Sequence, residues 1–164
     1  MIRFVASISL LISSPMVMAA CPSAPQTNFD SSKAGLISDK QTGLTWMRCS
    51  IGSSWDGSNC TGIPSRLEWK EAKQAITEIN KGGGVSGHKD WRLPTVDELK
   101  TLINKQCFDP AVDSNSFMDT QPAGYWTSEA STQFPEGATV VHFYHGGDYL
   151  TNQIKPWFVR AVRK

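Results

Sequence analysis

The sequence predicts a disulfide-stapled α+β domain. Three observations carry this reading: two capping-box signals open helix-like runs in the middle of the chain, runs rich in β-branched and aromatic residues flank them, and the cysteines form an even set. Each element follows from the residues in order.

Residues 1–20, MIRFVASISLLISSPMVMAA, carry one positive charge at Arg3, an apolar stretch from Phe4 to Ile12, a breaking Pro15, and small residues at Ala19 and Ala20. That is the pattern of a secretory signal, too short to span a membrane. The expected product is an exported protein, periplasmic or secreted to the cell surface. A small pair followed by Cys21 also fits a lipoprotein site, at which the acylated cysteine tethers the chain, although Met18 is unusual there. The remaining length, about 144 residues, suits one domain with a real core. No later stretch is long and apolar enough to span a membrane.

Charge narrows the partners. The whole chain has 16 Lys plus Arg against 15 Asp plus Glu, and losing Arg3 with the signal makes the two equal. Such a balance argues against a nucleic-acid binder.

Four cysteines in an exported chain, Cys21, Cys49, Cys60 and Cys107, read first as a disulfide framework with three possible pairings. The Gly/Ser-rich loop CSIGSSWDGSNC, bounded by its own two cysteines, favours Cys49 with Cys60. Cys21 with Cys107 follows by subtraction. Zinc is the rival use, but the chain has no C-x-x-C pair.

Residues 21–34 are Pro/Ser-rich and read as an extended lead-in to a domain over residues 35–164. GLISD and GLTWMRC, separated by KQT, read as a hairpin or two successive strands. In SRLEWKEAKQAITEIN, residues 65–80, Ser65 and Glu68 form a capping box, and Leu67, Trp69, Ala72, Ala75, Ile76 and Ile79 follow at mainly helical spacing. The GGG at 82–84 ends that helix. Thr95 and Glu98 repeat the box ahead of Leu99, Leu102 and Ile103, which face a core from a second, shorter helix. Pro94 keeps Leu93 extended. Beyond it, GYWTSE, ATVVHFYHGG, GDYLTNQ and PWFVRAVRK read as strands, with His145, Gly146, Gly147 and Asp148 at a hairpin tip. No internal repeat is visible.

The motifs GLTWMRCS, the Cys49–Cys60 loop, DWRLPTVDEL (residues 90–99), YWTS and FVRAVR occur in an order that resembles the Lcl C-terminal domain family, named after the C-terminal domain of the Legionella collagen-like adhesin. The resemblance covers about residues 35 to 163. It implies a C-type-lectin-like or sulfatase-modifying-factor-like fold, with two helices packed on a small twisted antiparallel sheet. It also implies a secreted or surface bacterial domain that binds a glycan or an extracellular or envelope protein. The chain has no Gly-x-y tract, so no collagen-like stalk trimerises it.

Several residue sets compete for that function. Asp90, Trp91, Arg92, Pro94, Thr95 and Glu98 read as a structural motif: rings closing a core, an arginine satisfied by flanking acids, and a helix start. The better ligand candidate is the segment 142–157, in which His142, Tyr144, His145, Asp148, Tyr149, Asn152, Gln153, Lys155 and Trp157 gather. A ring covers the C–H face of a pyranose while amides and carboxylates bond its hydroxyls, and Tyr149 with Asn152 and Gln153 supplies those types. Asp109, Asp113, Asn115 and Asp119 invite a calcium reading, but their spacing departs from D-x-D-x-D and Pro110 suggests a turn. No cofactor is expected.

Enzyme motifs are missing: no G-x-S-x-G, no H-E-x-x-H, no P-loop. His142 and His145, three apart on one strand, are expected to face opposite ways and to make a poor metal site. Formylglycine-generating enzymes share the implied architecture but use reactive cysteines, whereas these four are better used as bridges. The expectation is therefore a non-enzymatic binding domain, with a periplasmic or lipid-anchored assembly subunit as the alternative.

Overall fold

The computed structural model describes residue 26 and residues 28–164. The signal, the lipoprotein site and Cys21 lie outside the described residues. In chain order the elements are β1 (Phe29–Asp30), β2 (Leu36–Asp39), β3 (Thr45–Met47), β4 (Ser53–Trp55), β5 (Cys60–Gly62), α1 (Trp69–Lys81), α2 (Val96–Lys100), β6 (Gly124–Ala130), β7 (Gly137–His142), β8 (Gly147–Asn152) and β9 (Val162–Arg163). The architecture is α+β, but the single expected sheet is three: β1-β2-β3-β9, β4-β5 and β6-β7-β8, each antiparallel.

The C-terminal run explains why. PWFVRAVRK does not form one strand along its length, because its backbone changes partner repeatedly. Trp157 bridges Leu67, Phe158 bonds Gly124 and Trp126, Val159 accepts from Ile51, Ala161 accepts from Met47, and Val162 pairs with Trp46 and Arg92. One segment thereby stitches β6 to β3 and ties the larger two sheets together.

Alternation then divides the interior in two. Leu36, Met47, Trp126, Val140, Val159 and Ala161 meet one core with Trp69, Ala72 and Ile76 of α1. Ile37, Trp46, Tyr125, Val141 and Val162 meet a second with Leu99 of α2 and Leu102 beyond it. Neighbours in one strand thus bury opposite faces, which is why GYWT is buried throughout rather than alternately. Each fully buried aliphatic side chain contributes about 1.5–3 kcal/mol. The helices cover opposite sides of this wall.

Two local expectations are corrected. Helix α1 begins at Trp69, with Glu68 at its N-cap and the Glu68 amide donating to Glu71 at 2.9 Å, so Ser65 caps nothing. Ladder bonds from far along the chain hold the preceding residues extended: Ser65 N–H to the Ile51 carbonyl at 2.8 Å, and Leu67 N–H to the Trp157 carbonyl at 2.9 Å. The hairpin tip is also displaced toward the N-terminus. Gly147 and Asp148 already pair with His142 and Val141 in β8, leaving residues 143–146 as the turn.

The second box forms as the residues predict. Thr95 Oγ1 accepts from the Glu98 amide at 3.1 Å, and Glu98 Oε2 accepts from the Thr95 amide at 2.8 Å. Cys49 and Cys60 form the expected disulfide, with Cα atoms 5.5 Å apart, and it closes the β4–β5 hairpin. Cys107 is buried and is not free. No helix among the described residues is long and apolar enough to cross a membrane.

Candidate functional site

The DWRLP motif is occupied internally. Trp91 is buried, its Nε1–H donates to the His88 carbonyl at 2.9 Å, and the Asn80 amide brackets its backbone. Arg92 forks onto both Glu98 carboxylate oxygens at 2.7 and 2.6 Å, and Asp90 meets Arg163 at 2.7 Å. Hydrogen bonding from these arginines holds the Glu98 and Asp90 carboxyls below the ordinary carboxylate range. The Pro94 carbonyl accepts from Ser128 at 2.7 Å, so the motif joins α2 to β6 and the C-terminus.

The acids weighed for calcium do not converge. Asp113 accepts from Ser116 Oγ at 2.8 Å and from the Asn115 amide at 3.1 Å, and the Asn115 carbonyl accepts from Arg48 at 3.1 Å. Asp109 stands in a cis peptide with Pro110. Asp119 belongs to a different centre altogether. Its carboxylate lies within 4.8 Å of the Cys49 and Cys60 sulfurs, but sulfurs joined in a disulfide offer a metal no thiolate.

That centre is a buried arginine, which the sequence reading missed. Arg160 is 0 % exposed and donates to the carbonyls of Met47 and Arg48, to Ser50 Oγ at 3.0 Å, to Thr120 Oγ1 at 3.1 Å and to Asp119 at 2.7 Å. Its guanidinium lies 5.1 Å from the Phe117 ring centroid. Ser50 Oγ also meets Tyr125 Oη at 3.0 Å, and burial pushes that phenol's pKa up. The one available signal was an arginine between Val159 and Ala161 in an apolar run.

The C-terminal segment makes a surface feature instead. Gly124, His142 and Gly147 lie in a row across β6, β7 and β8. Over this row the rings gather. Trp157 covers Gly124, where an added Cβ would fall 2.9 Å from the indole, and His145 covers Gly147, where it would fall 2.8 Å from the imidazole. His142 stacks on His145 with centroids 5.2 Å apart and planes 10° from parallel. Tyr149 stands 6.0 Å from His142 and 6.3 Å from Trp157, and Tyr144 stands 6.4 Å from His145. The two histidines therefore do not face opposite ways. His145 sits in the turn, not on the strand, and the chain reversal brings its ring back over His142.

The other candidates are spread more widely. Strand alternation turns Asp148 away from Tyr149, toward α2, where it meets Lys100 at 2.6 Å. Asn152 Oδ1 accepts from the Ile154 amide at 3.0 Å. Gln153 Nε2 donates to the carbonyls of Pro135 and Gly137, bracing the β6–β7 loop against β7. Lys155 is exposed. Arg66, which nothing local in the sequence marks, sets its guanidinium 5.7 Å from the Trp157 ring and donates to the Pro156 carbonyl at 3.3 Å.

The family model of the Lcl C-terminal domain matches residues 35–163. The chain belongs to that family. No match is found among curated proteins. The Lcl C-terminal domain is found in a bacterial collagen-like adhesin.

In this Lcl C-terminal domain the histidine pair is set electrostatically as well as sterically. His142 Nδ1 accepts from the Tyr144 amide and His145 Nδ1 from the Gly147 amide, so each neutral ring carries its proton on Nε2. Burial first, and His145 second, hold the His142 pKa below its ordinary 6.5. Between that lowered value and 6.5 the folded chain binds fewer protons than the unfolded one. The stability His142 contributes is therefore whole above pH 6.5 and declines as the pH falls through that window. An NMR titration of the imidazole should find its midpoint below that of a free histidine; a midpoint at or above 6.5 contradicts the geometry.

Proposed function

We propose that this chain is an exported, non-enzymatic recognition domain, adhesin-like in role, whose aromatic face takes a glycan. The carrying observation is the band of five rings over the Gly124–His142–Gly147 row, with Tyr144, His145 and Tyr149 exposed and His142 and Trp157 half-buried. Trp157 and Tyr149 are 83° apart, so together they offer a wall and a floor to the C–H face of a pyranose. The Nε2–H groups of His142 and His145 donate to hydroxyl oxygens, and Arg66 lies at the edge. The polar role read from Asn152 and Gln153 thus passes to the histidines. Export is supported by the Cys49–Cys60 disulfide together with the leader-like residues 1–20. The C-type-lectin-like reading of the fold belongs to the same proposal.

Binding of the purified domain to an immobilised glycan panel tests it. Trp157→Ala should weaken the retained glycan about tenfold, the value of one lost ring contact near 1.4 kcal/mol. Adding Tyr149→Ala should abolish it. A double variant that binds like the parent sinks the assignment.

One observation favours the assembly-subunit reading. Strand β8 is a sheet edge, and Phe134, Leu150 and Ile154 beside it are 60 %, 43 % and 68 % exposed. A blank glycan panel, with retention on an envelope protein that Leu150→Lys removes, selects that reading.

A further inference from the structure

The sheet β6-β7-β8 is covered on one edge and open on the other. Phe158 bonds along the outer side of β6, whereas β8 has β7 as its one strand neighbour among the described residues. The ladders fix which way each backbone group of β8 points. Gly137 and Phe143 bond Ser131 and Ala123 on the β6 side of β7, while Glu136 and His142 accept from Gln153 and Gly146 on the β8 side. Alternation then turns the backbone of Gly147, Tyr149 and Thr151 to β7 and points that of Asp148, Leu150 and Asn152 outward. Among the described residues nothing takes up the N–H and C=O groups of Asp148 or of Leu150.

This edge lacks the features that ordinarily keep an edge strand unpaired. Residues 147–152, GDYLTN, hold no Lys and no Pro, and their register with β7 runs without a bulge. Their one charge, Asp148, is neutralised by Lys100 at 2.6 Å. Leu150 shares a hollow with Phe134, and both side chains are exposed, as is Ile154 just past the strand. Open ladder groups and large apolar side chains thus stand together on one edge.

We infer that β8 pairs antiparallel with β8 of a second copy of this chain, across a twofold axis at Leu150, so that the two sheets become one. The strand is complementary to itself in that register, as a twofold interface requires. Leu150 of each copy faces Leu150 of the other, and Asp148 faces Asn152, so every outward N–H meets an outward carbonyl. Charge selects the same register, because each aspartate lies against a neutral amide. Setting Asp148 against Asp148 would oppose like charges, and a shift to either side of Leu150 leaves outward groups unmatched. Residue 149 of one copy lies opposite residue 151 of the other, which turns both aromatic faces to one side of the joined sheet. Bivalent glycan binding would follow and rests on the glycan reading; the pairing itself does not.

Sedimentation equilibrium of the mature chain, with its Cys49–Cys60 disulfide intact, should show a concentration-dependent dimer. Leu150→Lys sets two lysines against each other at the axis and should raise the dissociation constant about tenfold or more. Leu150→Pro keeps every bond to β7, since the N–H it removes points outward, and should weaken pairing likewise. In the parent dimer the amides at 148 and 150 should exchange slowly, and in Leu150→Lys they should exchange fast while those at 149 and 151 stay protected. A short bis-maleimide should join copies of Leu150→Cys and leave Asn152→Cys, whose thiols stand about 14 Å apart along the paired strands, unjoined. The inference is overturned if the chain is monomeric at every concentration, if Leu150→Lys dimerises as the parent does, or if Asn152→Cys is joined in place of Leu150→Cys. Retention of a monomeric chain on an envelope protein through Leu150 would give the edge to the assembly reading and overturn the second copy as its occupant.

Discussion

Replacing Asp119 with Ala is expected to destabilise the domain by about 3–5 kcal/mol, the cost of leaving a buried charge without its partner. Arg160 is 0 % exposed, and its remaining acceptors, the carbonyls of Met47 and Arg48 with Ser50 Oγ and Thr120 Oγ1, are all neutral. Asp119 also accepts from the Ser50 amide at 2.8 Å, so its loss strips a second buried group of a bond. For a domain of this size the melting temperature should fall by roughly 10 °C. Arg160→Met on the same background should recover much of the loss, because an apolar side chain of similar volume needs no counter-charge. Urea unfolding of the two singles and the double forms a complete cycle. Strictly additive losses would mean that the pair is not coupled, and the account of the hub would fail.

That hub also shows where reading the chain reaches its limit. The Thr95–Glu98 box and the Cys49–Cys60 loop were legible because their partners lie 3 and 11 residues apart, close enough for local geometry to decide. Arg160 bonds residues 40 to 113 positions away, and no spacing rule connects them. The same long-range capture moved the start of α1: Ser65 and Leu67 hold good capping and helical positions, yet ladder bonds to Ile51 and Trp157 keep their backbone extended. At the aromatic face, the ring types were readable in residues 142–157 but their assembly was not. Tyr149 and Asn152 look like neighbours in sequence, whereas strand alternation sends them to opposite faces, and the chain reversal after His142 returns His145 to stack on it. Polar residues identical in type to ligand-binding ones, such as Gln153, turned out to brace loops.

The second large effect is expected from the double replacement Cys49→Ser, Cys60→Ser, at about 3 kcal/mol for a loop of this length. The local structure gives the loss a definite place. β4 and β5 are three-residue strands, and a two-stranded hairpin of that size is marginal in water without a covalent tie. Its packing is thin: the Trp55 ring lies under the Arg48 guanidinium at 4.1 Å, Ser53 N–H bonds the Ser50 carbonyl, and Ser54 and Thr61 are exposed. Without the bridge the hairpin should open below the global unfolding threshold, so amide exchange over residues 53–62 accelerates while β6 and β7, buried in both cores, stay protected. The Gly124–His142–Gly147 row and its rings are carried by β6, β7 and β8, and glycan retention on that face should persist. Unchanged exchange over residues 53–62 would show instead that the hub at Ser50 and the backbone bonds to Ile51 hold the hairpin alone, and that the disulfide adds only to global stability.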